Sequence, residues 1–224
     1  MIRCAAATRT GVLHDDNQDR AATDVEHGTF LVVDGMGGLA DAAATAQIVV
    51  DRFPPLLADV DALTDPDVMR TVTGFATDLN TVVRDTARSG PDTTGAAMAG
   101  VLLRDGHALV VHLGDSRIYL GRKGKFVRLT DDHTDDGHLT RFMGMPGDVF
   151  PGVSVHELAP GDRILLCTDG LTNSLDDREV SRLCGGDIDV ACERLVEAAV
   201  DGGAVDDVTV VLVEWGAHDT AAQR

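Results

Sequence analysis

The chain has 224 residues, 44% of them apolar, enough to bury a full core within one sheet-rich domain of ordinary size. Its net charge of −18, from 37 acidic against 19 basic residues, argues against nucleic acid or an anionic membrane as partner and suits the capture of cations. Met1 to Thr10 lacks the apolar core of a signal peptide and no apolar run approaches the ~20 residues of a membrane span, so a cytoplasmic location is expected.

Asn17-Gln18-Asp19 is the first of several acidic points along the chain. The apolar run Thr29 to Val33 then reads as a strand that ends on Asp34 and the glycine-rich Gly35-Met36-Gly37-Gly38. Helical spacing occupies Ala40 to Phe53 and Pro66 to Arg88, with Asp65 as N-cap and Gly90 past the end. Strands are predicted over Ala97 to Leu103, Ala108 to Leu113, Arg117 to Leu120, Val153 to Leu158 and Arg163 to Cys167. The links Arg104-Asp105-Gly106, Gly114-Asp115-Ser116 and Ala159 to Asp162 are short, which favours antiparallel neighbours because a parallel crossover needs a dozen or more residues. Helices follow at Asp177 to Leu183 and Asp189 to Val200, the latter capped by Asp187 or Asp189 with Gly202 beyond, before a last strand at Val208 to Val213. Helices grouped between runs of strands imply an α+β layered sandwich. One domain over 1–216 is expected, with 217–224 a disordered tail.

Cys4, Cys167, Cys184 and Cys192 form no C-x-x-C pair and read as buried free thiols. None is followed six positions later by arginine, and no phosphate-cradling G-x-x-x-x-G-K occurs.

Chemistry gathers where carboxylates meet strand ends. Asp34 closes an apolar run beside glycines, which let the backbone turn and set a carbonyl next to the carboxylate. Asp169 repeats the design after Ile164-Leu165-Leu166-Cys167-Thr168, and Asp206-Asp207 reverses it by leading into Val208. Several such acids from distant parts of one domain repel one another unless a divalent cation neutralises them.

The same points occur in a recognisable order. Gly11 to Asp19, Asp34 to Gly38, Asp92-Thr93-Thr94, Gly114 to Arg117, Thr130 to Thr134, Leu139-Thr140-Arg141, Thr168 to Asp177 and Asp206 to Thr209 together resemble a bacterial-type metal-dependent protein phosphatase of the PPM (type 2C) family. The resemblance runs from about Arg3 to Trp215. It implies a four-layer α-β-β-α sandwich of two antiparallel sheets flanked by helix pairs, and a phosphoserine or phosphothreonine protein as substrate, with a Ser/Thr kinase or its substrates as partners. It further implies two Mg²⁺ or Mn²⁺ ions, with Asp34 bridging both, the Gly35 carbonyl on one, and Asp169 and Asp206 on the other. Asp19 would hold metal-bound water, Gln18 would be a weak contact to the second ion, and Asp115 would serve a third, weaker metal. In such enzymes a binuclear centre activates water to attack phosphorus directly, with no phosphoenzyme.

Several positions depart from that pattern. His14 stands where the family usually has a phosphate-gripping arginine, so Arg9, Arg20 or Arg141 is needed to supply that grip if His14 does not. Gln18 replaces a common glutamate, Met36 a histidine that some members use as general acid, and Asp207 a usual asparagine. Only Asp135-Asp136-Gly137-His138 separates Thr134 from Leu139, where the family normally inserts a flap. The missing flap implies an open cleft, and the resulting acid- and histidine-rich run reads as a solvated turn or an extra cation site. Alternative functions are a weak or inactive pseudophosphatase that acts as a regulatory binding module, and a phosphatase of small phosphorylated metabolites.

Overall fold

The computed structural model describes residues 1–37, 39–86 and 94–216, with the backbone alone at 39–41. Gly38, Gly90, Asp92, Thr93 and the expected tail 217–224 lie outside the described residues. One antiparallel sheet has the order β1 (Ile2–Arg9), β12 (Val208–Trp215), β11 (Arg163–Cys167), β6 (Arg117–Arg122), β7 (Lys125–Arg128). The other runs β10 (Gly152–Glu157), β5 (His107–Leu113), β4 (Gly95–Arg104), β3 (Thr29–Met36), β2 (Asp19–Asp24).

The period of two along these strands sorts the apolar residues into layers. Phe30 and Val32 of β3 meet Ile164, Leu166, Val211 and Val213 between the two sheets. Leu31 and Val33, on the other face, pack with Phe53, Leu57, Val72 and Leu79 of α1 (Leu39–Ala58) and α2 (Val68–Thr86). Leu165, Val210 and Leu212 pack likewise with Val180 of α4 (Asp177–Leu183) and Leu195 of α5 (Ile188–Asp201). The result is the four-layer α-β-β-α sandwich.

The structure adds β1, β2 and β7 to the expected strands, and each is the edge of its sheet. An edge strand needs one partner and can be built from small and polar residues, as in Ile2 to Arg9, which carry little apolar signal. Helix α1 also continues past Phe53 through Pro54 and Pro55. Phe53 and Leu57 lie four residues apart and are fully buried. Their burial contributes about 3–6 kcal/mol, of the same order as the cost of proline inside a helix.

Two of the three short links are not hairpins. Arg104-Asp105-Gly106 does join paired strands, with Asp105 and Gly106 both at positive φ. Gly114-Asp115-Ser116 instead carries the chain from β5 in one sheet to β6 in the other, and Ala159 to Asp162 carries it from β10 to β11. Asp115 thereby sits over the gap between the sheets. Cys4 is only partly buried, unlike the other three cysteines, and all four are free.

Candidate metal centre

Strand parity and register bring the expected acids to one end of the inter-sheet layer. Asp19 on β2 is the direct partner of Asp34 on β3, and Asp34 shares the face of Phe30 and Val32. In the facing sheet the Thr168 N–H bonds the Thr209 carbonyl at 3.0 Å, so the end of β11 and the start of β12 are held side by side. Asp169 opens the short helix α3 (Asp169–Thr172), which was not expected from the sequence, just after β11. Asp206 and Asp207 precede β12.

The electrostatics are those of unneutralised crowding. Burial raises the Asp34 carboxyl well above its ordinary value, and the charges that add to the effect are Asp19, Asp169, Asp206 and Asp115. Asp19 is pushed up to about 7, mainly by burial and against the hydrogen bonds of Thr209 and Thr168. Asp115 reaches about 6 through burial and Asp169. Asp169 is also raised, by burial and Asp206, with the Asp34 carboxyl and the Asn173 amide acting in the opposite sense.

Residues that the sequence reading left without roles hold these acids in place. The Thr168 hydroxyl donates to Asp19 Oδ2 at 2.8 Å, and the Asn173 amide donates to Asp169 Oδ2 at 3.0 Å. Asn17 binds both the Thr8 hydroxyl and the Asp19 N–H, fixing the turn into β2. Asp207 is the hub: 2% exposed, it accepts the Gly11 N–H at 2.8 Å and the Gln18 N–H at 2.7 Å, and it faces His14 Nδ1 at 3.0 Å. The clue in sequence was threonine directly before Asp169-Gly170 and asparagine four residues after the acid, an i,i+4 pair on the following helical turn.

Glycine serves close approach here. A Cβ on Gly35 would lie 2.3 Å from the Ala42 carbonyl oxygen of α1, and one on Gly170 would lie 2.1 Å from the Asp207 carbonyl oxygen. Gly170→Ala is therefore expected to displace the Asp206-Asp207 backbone, lower stability by about 1–3 kcal/mol and weaken Mn²⁺ binding. Thermal melts and metal titration check it, and unchanged metal affinity would show that the contact is not needed.

His14 Nδ1 lies 3.5 Å from Asp206 Oδ1 as well as beside Asp207, so His14, Asp206 and Asp207 bring ligand-type atoms within 4.8 Å of one another. Gln18 is buried and tied to the site through its backbone N–H. Arg9 pairs with Val208 on the face of Ala5 and Ala7 under α5, whereas Thr8 and Thr209 face the space between the sheets. Arg20 is occupied by the Asn17 and Asp19 carbonyls. Arg141 reaches His133 and the Phe150 carbonyl rather than Asp34 or its neighbours. In place of a flap, β8 (Thr134–Asp135) and β9 (His138–Leu139) form a minimal hairpin whose turn residues Asp136 and Gly137 take positive φ.

The donor set fits hard divalent cations. Asp19 Oδ1 and Asp169 Oδ1 are buried with no hydrogen-bond partner, and carboxylate oxygens are the ligands such ions take.

The family profile described as "Protein phosphatase 2C" matches residues 8–199. The chain is 27% identical over 241 residues to the serine/threonine protein phosphatase PstP of Mycobacterium tuberculosis, covering 98% of this chain and 46% of PstP. It thus spans about half the length of that relative. To the protein phosphatase PhpP of Streptococcus pneumoniae it is 27% identical over 241 residues, covering 95% of this chain and 97% of PhpP. Among solved structures it resembles PppA, a key regulatory component of T6SS in Pseudomonas aeruginosa, with a TM-score of 0.85 and 27% identity over 95% of this chain and 97% of that one. It also resembles the catalytic domain of PstP in complex with two manganese ions, with a TM-score of 0.78 and 28% identity over 95% of this chain and 97% of that one.

Proposed function

The chain belongs to the protein phosphatase 2C family, and from that premise we propose that it hydrolyses phosphoserine and phosphothreonine in proteins with the help of two Mg²⁺ or Mn²⁺ ions. The observation that carries this reading is the set of carboxylates around Asp34, which raise one another's proton affinity and leave buried oxygens without donors. Asp34, Asp169, Asp206 and the Gly35 carbonyl would hold the two ions, Asp115 a third, and Asp19 would orient water. When bound, such ions lower the pKa of water toward neutrality and offset the charge that develops on a phosphoryl group.

The chain's own residues supply position. Thr168 turns Asp19 toward the acid cluster, Asn173 orients Asp169, and Asp207 binds the loop from Gly11 to Gln18 against Asp206. Cys167 offers no nucleophile, since complete burial pushes its thiol far above the ordinary range. Water is therefore the attacking group in this reading. Crowded acids hold protons that must leave before cations bind, so metal affinity and activity rise together as pH passes about 7.

The test is hydrolysis of p-nitrophenyl phosphate and of a phosphothreonine peptide with Mn²⁺, with chelator, and by Asp169→Ala. Turnover is expected only in the Mn²⁺-loaded parent protein, and turnover no greater than the variant's would end the enzyme reading. A pseudophosphatase that keeps the fold and acts as a regulatory binding module without turnover is the second reading. It is favoured by His14, which faces Asp206 and Asp207 where an arginine was expected, while Arg20 and Arg141 are bound to backbone carbonyls. Mn²⁺ binding by the folded protein without hydrolysis of either substrate would identify it.

A further inference from the structure

A cavity of about 370 Å³ opens beside the acid cluster, with His112, His133, Arg141, Asp131, Asp132 and Gly152 among its walls. Gly114 links it to the cluster: its carbonyl accepts the His133 N–H at 2.9 Å, and the next residue is Asp115. Within the cavity the hydrogen-bond pattern of His133 is incomplete. The Gly114 N–H points at His133 Nδ1 from 3.3 Å, and a backbone amide can only donate. The neutral tautomer that accepts this N–H carries its proton on Nε2. That proton faces Arg141 Nη1 at 3.3 Å, which is also a donor, with Phe150 accepting its other contact at 3.2 Å.

Two donors left face to face are satisfied by one acceptor set to the side, across both nitrogens. His133 cannot escape by becoming a cation beside Arg141. Burial, His112 and Arg141 hold its pKa down to about 4, so it stays neutral at physiological pH. The ring is also held in place, stacked on His112 with centroids 4.5 Å apart and an interplanar angle of 19°. His112 is itself 6% exposed, gives its Nε2 to the Asp131 carbonyl, and keeps a buried Nδ1 without a partner in the same wall. The acids lining the cavity do not cancel its donors. Asp132 is held by Arg117 at 2.7 Å and by Arg128 at 3.5 Å, and the Asp131 carboxylate is fully exposed beside Arg128.

We propose that this cavity is an oxyanion site, in which one phosphate oxygen accepts from both His133 Nε2 and Arg141 Nη1. The occupant is inorganic phosphate or a second phosphate on the substrate; the latter use rests on the phosphatase reading, whereas the site itself does not.

The experiment is a calorimetric titration of inorganic phosphate into chelator-treated protein, where the metal-free acid cluster repels phosphate and variants of the cavity's own donors assign the binding. One binding site is expected, weakened about tenfold or more by Arg141→Ala or His133→Ala. His133→Gln, which keeps an N–H near the Nε2 position, is expected to retain binding. Absence of binding to the parent protein, or an affinity unchanged by Arg141→Ala, overturns the proposal. A second arm compares Mn²⁺-dependent hydrolysis of a phosphothreonine peptide with and without a neighbouring second phosphate. Preference for the doubly phosphorylated peptide that disappears in Arg141→Ala assigns the site to substrate; equal rates with phosphate binding retained assign it to the free ion. Failure to hydrolyse either peptide counts against the phosphatase reading alone, because the calorimetry does not depend on turnover.

Discussion

Asp34→Asn is expected to abolish Mn²⁺-dependent turnover while raising the melting temperature of the metal-free protein. Four carboxylates act on Asp34, and each raises its proton affinity. Without metal these charges oppose the fold, so asparagine removes a repulsion and keeps nearly the same shape. A gain of about 1–2 kcal/mol corresponds to roughly 2–8 °C for a chain of this size. With metal the sign reverses, because the neutral amide is a poor ligand for a hard cation. Loss of about 10²–10³ or more in kcat/KM is expected, the lower figures being the scale seen when a single preorganised charge-stabilising group is removed. Melts with and without chelator, together with Mn²⁺-dependent assays, read both effects. An active variant, or one destabilised in chelator, would show that Asp34 is not held at the centre of the acid cluster.

The second large effect is the dependence of stability on pH in chelator. Asp19 titrates near 7 and Asp115 near 6 in the folded chain, both above the ordinary carboxyl value, and Asp34 and Asp169 are displaced the same way. Folded-state values that are raised mean that the folded chain keeps protons the unfolded chain has already released. Stability is then fully present below about pH 4 for these groups and is lost as pH rises through about 7, by a few kcal/mol in all. Asp24, Asp162 and Asp187 are shifted the opposite way by their hydrogen-bond partners and stabilise above about pH 4, so the optimum in chelator falls near pH 5. Mn²⁺ needs the deprotonated acids, so its stabilising effect is expected to be largest above pH 7 and to flatten or invert the slope. Calorimetric melts at pH 5 and 8, with chelator and with Mn²⁺, decide the matter. Greater metal-free stability at pH 8 than at pH 5 would contradict the crowding of the four acids.

Much of this site was legible before any coordinates, for a local reason. A strand announces itself by period, and an acid at its end beside glycine announces a turn with a carboxylate on it. Asp34, Asp169 and Asp206 were singled out in that way, a layered α+β sandwich followed from helices grouped between runs of strands, and its four-layer order from the family resemblance. Thr168, Asn173 and the hub role of Asp207 were not found, although their residues stood inside the motifs. Their roles depend on which neighbour each side chain meets, and the Gly11 contact to Asp207 spans 196 residues.

The sequence by itself determined the elements whose signal is local: the strands with apolar runs, the amphipathic helices with the Asp187 cap of α5, and the carboxylates that punctuate them. Tertiary structure alone decided the edge strands β1, β2 and β7, the run of α1 through two prolines, the crossing of Asp115 from one sheet to the other, and the distribution of the arginines. Arg9 illustrates the reason. One residue of parity separates it from Thr8, and that single step puts its side chain on the helix-covered face instead of the inter-sheet face. Which face becomes the cleft is set only when the two sheets pack, since long-range packing assigns a face that local spacing leaves open.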